Sequence, residues 1–341
     1  MSSPAKVVRT DGEMECPGVD AALTARGVNL VLMPGGSTED EVLHECRDAD
    51  LVLMCYTPIT ARIIDAAERL KGIVKYGVGI DAIDIGAASS RGIPVVNVPD
   101  YAEETVAEGA LALLIALARK LLPIRRAMAQ EGWIWPTAEW LGSDISGKTL
   151  GLVGVGRIGR KMARMAGAGF GARVIGYNPN MPAEIMRNAG VSKYHDLHEM
   201  LAVSDFVSIH CVLNERTRGM IGEAEFRSMK PSALLINVSR GAIVDEAAML
   251  RALREGRIAG AGLDVFGEEP LNRDRHPLAP LYDMDNVILT PHLAFYTREA
   301  LARLETETLA RCFEILEGRP ALVKSADPRL RSQRSGVRFQ D

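Results

Sequence analysis

The feature that most constrains the fold of this chain is a glycine-rich turn between an apolar strand and a helical stretch. The sequence Gly154-Val-Gly-Arg-Ile-Gly159 follows the apolar run Thr149–Val153 and opens the helix-forming stretch Ile158–Ala168. The first glycine permits a tight turn, the second lets the backbone approach a pyrophosphate, and the third lets the helix pack closely on the strand. Free N–H groups at the helix start then face the phosphates. The motif therefore predicts a dinucleotide-binding βα unit.

The next predicted strand, Arg173–Tyr177, should end at the adenosine ribose of such a ligand. NAD sites usually place Asp or Glu there to bind the 2′-hydroxyl, but this chain has Asn178. Asparagine can bind a hydroxyl without repelling a 2′-phosphate. No Arg or Lys follows in the adjoining loop, and the next cation along the chain is Arg187. The expected cofactor is NAD, with NADP possible.

Short β-type runs alternate with helical stretches along the chain, which is typical of an α/β protein with parallel sheets. Continuous apolar strands are expected where helices cover both faces of a sheet. The first predicted series is Val28–Met33, Asp50–Cys55, Gly72–Tyr76 and Pro94–Val98. The second is Thr149–Val153, Arg173–Tyr177, Phe206–His210, Leu234–Val238, Gly260–Val265 and Val287–Leu289. Helices are predicted from the capping box Thr38–Glu41 and over Asp245–Glu255.

Composition excludes several classes of protein. The 341 residues favour two domains, and 40 basic against 44 acidic residues give no electrostatic reason to expect a nucleic acid or an anionic membrane as partner. The longest apolar run, Gly109–Ala118, is far shorter than the roughly 20 residues of a membrane span. The start, Met1–Lys6, lacks the apolar core of a signal peptide. Five dispersed cysteines favour free thiols in a reducing compartment, so a cytoplasmic protein without a metal site is expected.

The segment Glu103–Gly132 is almost wholly helix-forming and separates the two strand series. Pro123 is the only expected kink. Two interpretations stay open: a buried core helix, or a helix that links two domains and packs in a dimer. After Leu322 the sequence is polar and basic, and it is expected to be a flexible end, with a partner-binding arm as the alternative.

Three residues of the second half carry the chemistry. Arg240, Glu269 and His292 each come shortly after one of the last three predicted strands, and ligands of doubly wound sheets bind beyond the carboxyl ends of strands. An arginine fork matches a carboxylate, a histidine can transfer a proton near neutral pH, and a neighbouring carboxylate fixes its tautomer. Taken singly, each residue is more often structural. Their joint order after a GxGxxG unit predicts oxidation of a 2-hydroxy acid.

Five motifs resemble, in order, those of the D-isomer-specific 2-hydroxyacid dehydrogenase family, over roughly Val28–Pro320. They are Tyr76–Asp84, Gly151–Gly159, Asn237–Asp245, Gly262–Pro270 and Thr290–His292. Val98–Tyr101 and Ala294–Thr297 are most similar to the branch of C-terminal-binding-protein-like dehydrogenases.

The resemblance implies roles for individual residues. It implies that Arg240 holds the substrate carboxylate and that His292 and Glu269 act as the acid–base pair. With the glycine motif, it gives a cofactor-binding set of Gly154, Gly156, Arg157, Ile158, Gly159, Asn178, Thr105, Val238 and Asp264. Thr105 and Asp264 would lie near the nicotinamide, and Arg157 and Ile158 at the pyrophosphate. The substrate-binding set is the backbone of Val78 and Gly79 with the side chains of Tyr56 and Phe295.

The resemblance also implies an architecture of two Rossmann-like, doubly wound parallel-sheet domains. Residues 1–103 with 296–325 would form a discontinuous substrate domain, into which a cofactor-binding domain, 104–295, is inserted. Residues 326–341 would be a flexible tail. Homodimers built on the cofactor-binding domain and the long helix are usual in the family.

Departures from the family pattern narrow the range of expected substrates. Met54 and Tyr56 stand where members acting on phosphoglycerate tend to carry arginines, so a phosphorylated substrate would lack its cation. Tyr56 and Phe295 fit a small substrate such as glyoxylate, hydroxypyruvate or pyruvate. The segment Gly132–Trp140 contains all three tryptophans. It is interpreted as a packed loop, and the alternative is a lid or a contribution of the partner subunit to the pocket.

The predicted function is therefore NAD(P)-dependent interconversion of a small D-2-hydroxy acid and its 2-keto acid. Two alternatives stay open: a cofactor-sensing corepressor-like binding protein with the same constellation, and a family member with other hydride-transfer chemistry, such as formate or phosphite oxidation. Glu269 argues against formate oxidation, which is expected to pair the histidine with an uncharged amide.

Overall fold

A computed structural model describes residues 4–340, and the chain forms two compact units. The first unit is Met1–Ala102 with Thr297–Asp341, and the second unit is Glu103–Tyr296. Each contains a parallel sheet with helices, which confirms the predicted α/β class with two domains. Residues 1–3 and 341, which the predicted substrate domain and tail include, lie outside the described residues.

The secondary structure alternates as the sequence predicts. The strands are β1 (Lys6–Arg9), β2 (Asn29–Leu32), β3 (Leu51–Met54), β4 (Ile73–Lys75), β5 (Val95–Asn97), β6 (Thr149–Val153), β7 (Arg173–Tyr177), β8 (Ser192–Tyr194), β9 (Phe206–Ile209), β10 (Leu234–Asn237), β11 (Gly260–Leu263), β12 (Val287–Leu289), β13 (Ala321–Val323) and β14 (Val337–Phe339). The helices are α1 (Pro17–Ala25), α2 (Glu39–Cys46), α3 (Ala61–Ala66), α4 (Ile85–Ser90), α5 (Glu103–Ala118), α6 (Leu121–Glu131), α7 (Arg157–Arg164), α8 (Ala183–Asn188), α9 (Leu197–Val203), α10 (Glu223–Ser228), α11 (Glu246–Arg254), α12 (Arg298–Leu316) and α13 (Pro328–Arg331).

The first unit is built on a five-stranded parallel sheet with the order β2-β1-β3-β4-β5. Its interior strand β1 is absent from the sequence prediction, because only Val7 and Val8 interrupt a polar segment. Both valines are fully buried, and the flanking Arg9 is also buried, with its guanidinium held by Asp20 and the carbonyl of Met14. Polar partners thus allow a buried charged residue in an interior strand.

The second unit contains a seven-stranded parallel sheet with the order β12-β11-β10-β9-β6-β7-β8. The strand order runs one way from β6 to β8 and the other way from β9 to β12, so the two halves diverge between β6 and β9. Such a reversal opens a crevice at the carboxyl ends of the strands, where doubly wound sheets bind ligands. The glycine turn after β6 lies at this point.

Helices cover both faces of the second sheet and form two hydrophobic cores. One core packs α5 and α7 on the sheet, with Leu114, Leu152 and Met162 fully buried. The other packs α9, α10 and α11 on the opposite face, around residues such as Met200 and Phe226. Burial on both faces explains why these strands read as continuous apolar runs.

The long helical segment differs from its prediction. It is two helices, α5 and α6, and the break lies at Lys120, whose backbone is left-handed with φ 51°. Pro123, the expected kink, is the third residue of α6. The N–H groups of the first helical turn have no partner within the helix, so proline is tolerated there without a kink.

The chain end also differs from its prediction. Residues 326–340 are not a loose tail, because α13 and β14 form there and β14 pairs in parallel with β13. The amide of Gln333 bonds the backbone N–H and carbonyl of Val95 on edge strand β5, at 2.7 and 2.9 Å. The side chain of Leu330 is fully buried, and its carbonyl accepts a hydrogen bond from the same Gln333 amide. The prediction of a flexible tail rested on the polar, basic composition of the segment, which does not reveal the few residues that anchor it.

Candidate active site

The three motif glycines have different structural roles. Gly154 directly follows β6 with φ 93°, and a Cβ there would lie 2.6 Å from the backbone nitrogen of Cys211. A Cβ on Gly159 would lie 2.5 Å from the carbonyl oxygen of Gly154. At Gly156 a Cβ would meet no protein atom within 4 Å. The fold itself therefore requires the first and third glycines, whereas the second leaves space for a ligand.

The start of α7 offers donors to that space. Its N-cap is Gly156, so no side chain occupies the first free N–H groups of the helix. Arg157 and Ile158 form the first turn, and Arg157 is exposed and paired with Glu103 at 3.1 Å. Free amides, a helix dipole and a nearby cation suit a pyrophosphate, so the residues present fit a dinucleotide.

His210 lies directly behind this turn and was missed by the sequence analysis. Its Cβ would be 3.5 Å from a Cβ on Gly159, and its Nε2 lies 2.9 Å from the Ser208 hydroxyl. Burial lowers the pKa of His210 to about 4, so the imidazole is neutral at neutral pH. Its position at the end of a predicted strand was visible in the sequence, but its burial was not.

Arg240 is brought to the site by a close contact between two loops. It follows β10, and Asn237 at the end of that strand donates from Nδ2 to the Arg240 carbonyl at 3.0 Å. The next residue is Gly241, and a Cβ there would overlap the backbone of Phe266 and Gly267. Only glycine allows the Arg240 loop to reach the loop that carries Glu269.

Glu269 and His292, which the sequence predicts to be an acid–base pair, are in direct contact. His292 Nδ1 lies 2.8 Å from Glu269 Oε2, and both side chains are about a quarter exposed, at 26% and 28%. Glu269 Oε1 accepts from the Phe266 N–H at 2.9 Å. Burial alone raises the pKa of Glu269, but the hydrogen bonds and the charges of His292 and Arg240 lower it below its ordinary value. The carboxylate is therefore charged at neutral pH and fixes the imidazole.

The backbone at His292 is held by Asp264 at the end of β11. His292 has φ 56°, a left-handed conformation uncommon for side-chain-bearing residues, and its N–H donates to the Asp264 carbonyl at 2.8 Å. The Asp264 carboxylate accepts from the backbone N–H groups of Leu293 and Ala294, at 2.8 and 2.9 Å, and from the Thr290 hydroxyl. Asp264 thus clamps the turn that presents the histidine. Its predicted place near the nicotinamide stays a prediction.

The other predicted residues of the second unit lie around these elements. Thr105 is buried in the first turn of α5, and Val238 is buried just beyond β10. Asn178 follows β7 directly and is half-buried. Phe295 contacts His292 edge to face, with ring centroids 6.2 Å apart.

The predicted substrate-binding residues of the first unit lie beyond β3 and β4. Tyr56 is 41% exposed, Val78 is 45% exposed, and Gly79 is half-buried. The Tyr56 loop is held by buried Asp11, whose carboxylate accepts from the backbone N–H groups of residues 55–57, at 2.9 to 3.2 Å. Sequence reasoning missed Asp11, because it follows the unrecognised strand β1.

The described residues set further limits on the site. Among residues 4–340, no group of three or more His, Cys, Asp or Glu side chains is placed to hold a metal ion. In the same range, no helix combines the length and the apolar character needed to cross a bilayer. The five cysteines are free thiols, and Cys211 alone among them is only partly buried.

The strand reversal, the glycine turn and the uncapped helix start define the second unit as a dinucleotide-binding domain of the Rossmann type. A family profile described as "D-isomer specific 2-hydroxyacid dehydrogenase, NAD binding domain" matches residues 111–294. The chain belongs to the D-isomer specific 2-hydroxyacid dehydrogenase family. This result confirms the resemblance and identifies the chain as a member of an NAD-binding oxidoreductase family.

Individual relatives support this assignment. A glyoxylate reductase of Korarchaeum cryptofilum is 42% identical, over 77% of this chain and 78% of that protein. A D-3-phosphoglycerate dehydrogenase of Methanocaldococcus jannaschii is 39% identical over 88% of this chain, which spans only 56% of that longer protein. The structure of D-lactate dehydrogenase from Aquifex aeolicus with NAD and lactic acid superposes with a TM-score of 0.81, at 30% identity, covering 92% of this chain and 96% of that one.

Proposed function

We propose that the chain catalyses NAD(P)-dependent interconversion of a small D-2-hydroxy acid and its 2-keto acid. The observation that carries this proposal is the constellation of Arg240, Glu269 and His292 beside the glycine turn of one unit. The 2.8 Å contact between His292 Nδ1 and Glu269 orients the imidazole, and we assign its Nε2 atom to proton exchange with a substrate oxygen. Similar proteins are named for glyoxylate, lactate and phosphoglycerate, and each of these compounds is a 2-hydroxy or 2-keto acid.

Each residue then has a distinct task. Arg240 binds the substrate carboxylate through its guanidinium fork. His292 exchanges a proton between Nε2 and the substrate C2 oxygen, and Glu269 stabilises the charged imidazole. When bound, the nicotinamide group supplies or accepts the hydride. The space at Gly156 and the amides of α7 hold the pyrophosphate.

The substrate that we propose is a small, unphosphorylated keto acid such as glyoxylate, hydroxypyruvate or pyruvate. The loop after β3 carries Tyr56 and contains no arginine, so a phosphate ester would find no bidentate partner on that loop. Within the first unit, the backbone N–H groups of Val78 and Gly79 suit an anionic group.

A panel of keto acids, followed at 340 nm with NADH and NADPH, tests the proposal. Oxidation of either cofactor with glyoxylate, hydroxypyruvate or pyruvate, and not with 3-phosphohydroxypyruvate, is the expected result. Arg240→Ala should raise KM sharply, and His292→Ala should mainly reduce kcat. Glu268→Gln, an exposed neighbour of Glu269, is the matched control and should change neither constant. Wild-type turnover by the His292 variant would refute the mechanism.

We also propose that the second unit forms a homodimer through α6 and the segment that follows it. Leu121 and Leu122 are about half exposed, and Trp135 is 74% exposed beside Trp133. Exposed apolar groups of this size mark an interaction surface. Because homodimers are usual in the family, we propose that a second copy of the chain covers this surface. Analytical ultracentrifugation should give a dimer for the native chain and a monomer for Trp135→Glu. A monomeric native chain would contradict this proposal.

A further inference from the structure

Lys193 on edge strand β8 reaches the loop that follows β7. Its ammonium donates to the carbonyl of Met181 at 2.7 Å and lies 3.4 Å from the carbonyl of Pro179. This loop begins at Asn178, the residue placed at the adenosine ribose by the glycine turn. A cation therefore adjoins the ribose position, although none follows Asn178 in the loop itself.

The sheet register places Lys193 on the same face as the glycine turn. Lys193 is the partner of Gly176 in the parallel pairing of β7 and β8, and partners in neighbouring strands share a face. A Cβ on Gly176 would contact Val155, inside the glycine turn, at 2.7 Å. Asn178 directly follows β7 and opens the loop whose carbonyls Lys193 contacts.

The local charge favours an additional anion. An ammonium has three donors, and Lys193 directs two of them at loop carbonyls, so one is left for a ligand. The loop sequence Asn178-Pro-Asn-Met181 contains no carboxylate. A dianionic 2′-phosphate would meet a cation, with Asn178 offering an amide in place of the acidic residue that normally repels it.

We propose that Lys193 is a specificity-determining residue that binds the 2′-phosphate of NADP(H), so that the chain uses this cofactor at least as well as NAD(H). This assignment rests on the proposed function for its dinucleotide site. It differs from the expectation drawn from sequence, which favoured NAD because no cation follows Asn178 in the loop. The cation comes from the adjacent strand instead.

Isothermal titration with the fragments 2′,5′-ADP and 5′-AMP tests the proposal without requiring turnover. The native chain should bind 2′,5′-ADP more tightly than 5′-AMP. Lys193→Met should weaken 2′,5′-ADP by at least about tenfold, the loss expected for one charged hydrogen bond, and change 5′-AMP less than about twofold. Asn178→Asp should give the same selective loss, and Lys193→Arg should retain binding because it keeps the charge.

Arg187→Met is the matched control, because it removes an exposed cation of nearby α8 whose side chain is not engaged with the loop. It should leave both affinities within about twofold. An equal loss of both fragments in Lys193→Met would show that Lys193 only supports the loop, and no loss would exclude any contact. Either result overturns the proposal, as would tighter binding of 5′-AMP to the native chain. Binding of neither fragment would refute the dinucleotide site itself.

Discussion

Two glycines three residues apart in the same motif should respond to alanine in opposite ways. In Gly159→Ala, the new Cβ would lie 2.5 Å from the Gly154 carbonyl oxygen, so α7 and the end of β6 must separate by at least half an ångström. In Gly156→Ala, the Cβ meets no protein atom within 4 Å. The first change should therefore damage the fold, and the second only the ligand site.

The expected magnitudes follow from these contacts. Overpacking against backbone costs about 1–3 kcal/mol, which lowers the Tm of a domain of this size by roughly 3–10 °C. Gly156→Ala replaces one N-cap residue by a poorer one and should cost under about 1 kcal/mol. The same methyl group occupies the place of the pyrophosphate and should weaken dinucleotide binding at least about tenfold.

Differential scanning fluorimetry without cofactor, together with fluorescence titration of NADH and NADPH, measures both effects. Equal losses of Tm in the two variants would refute the distinction between a fold glycine and a ligand glycine. Native cofactor affinity in Gly156→Ala would refute the placement of the pyrophosphate. Gly190→Ala is a useful reference, because its φ of 75° strains any side chain in open space away from the turn.

Three further predictions address the site and the fold. Arg240→Lys should raise KM roughly tenfold or more while kcat changes less, since an ammonium lacks the planar fork; equal effects on both constants would contradict this role. Glu269→Gln should lower kcat about a hundredfold in stopped-flow assays, because the imidazole loses its charged partner, and an unchanged kcat would exclude the pair. Burial alone would raise the pKa of Asp11, but its hydrogen bonds outweigh burial and hold the pKa below its ordinary value of about 4. The carboxylate therefore stabilises the fold fully above that pH, and the stabilisation is lost as the pH falls through the lowered pKa. In denaturant unfolding, Asp11→Asn should be less stable than the native chain at pH 7, and this difference should shrink below pH 4.

Local sequence rules predict much of the architecture. Long apolar strands and the glycine turn are encoded by neighbouring residues, so β6 is predicted with its observed bounds and β7 likewise. The strands β1 and β8 are missed because their side chains are stabilised by distant partners. The ion pair of Arg9 with Asp20 and the bonds of Lys193 to a loop cannot be read from either strand alone.

The candidate site shows the same division. Arg240, Glu269 and His292 are predictable because strand ends in a parallel sheet share one edge. The groups that position them are not, since they act across folded space: Gly241 is needed only because the backbone of Phe266 lies against it. Asp264 is predicted from its motif, but its bonds to the turn around His292 join residues about 30 positions apart and are evident only in the folded chain.

The contact between Gln333 and Val95 joins residues that are 238 positions apart and completes the edge of the first sheet. Helix α12 also belongs to the first unit and buries Ile315 against Gly72 beside β4. On the ribosome, the N-terminal strands therefore emerge long before the segments that cover them, whereas the second unit is continuous and is complete while α12 is still being synthesised. The second unit can therefore fold before the first, and the edge strand β5 stays uncovered until the segment that carries Gln333 has been synthesised.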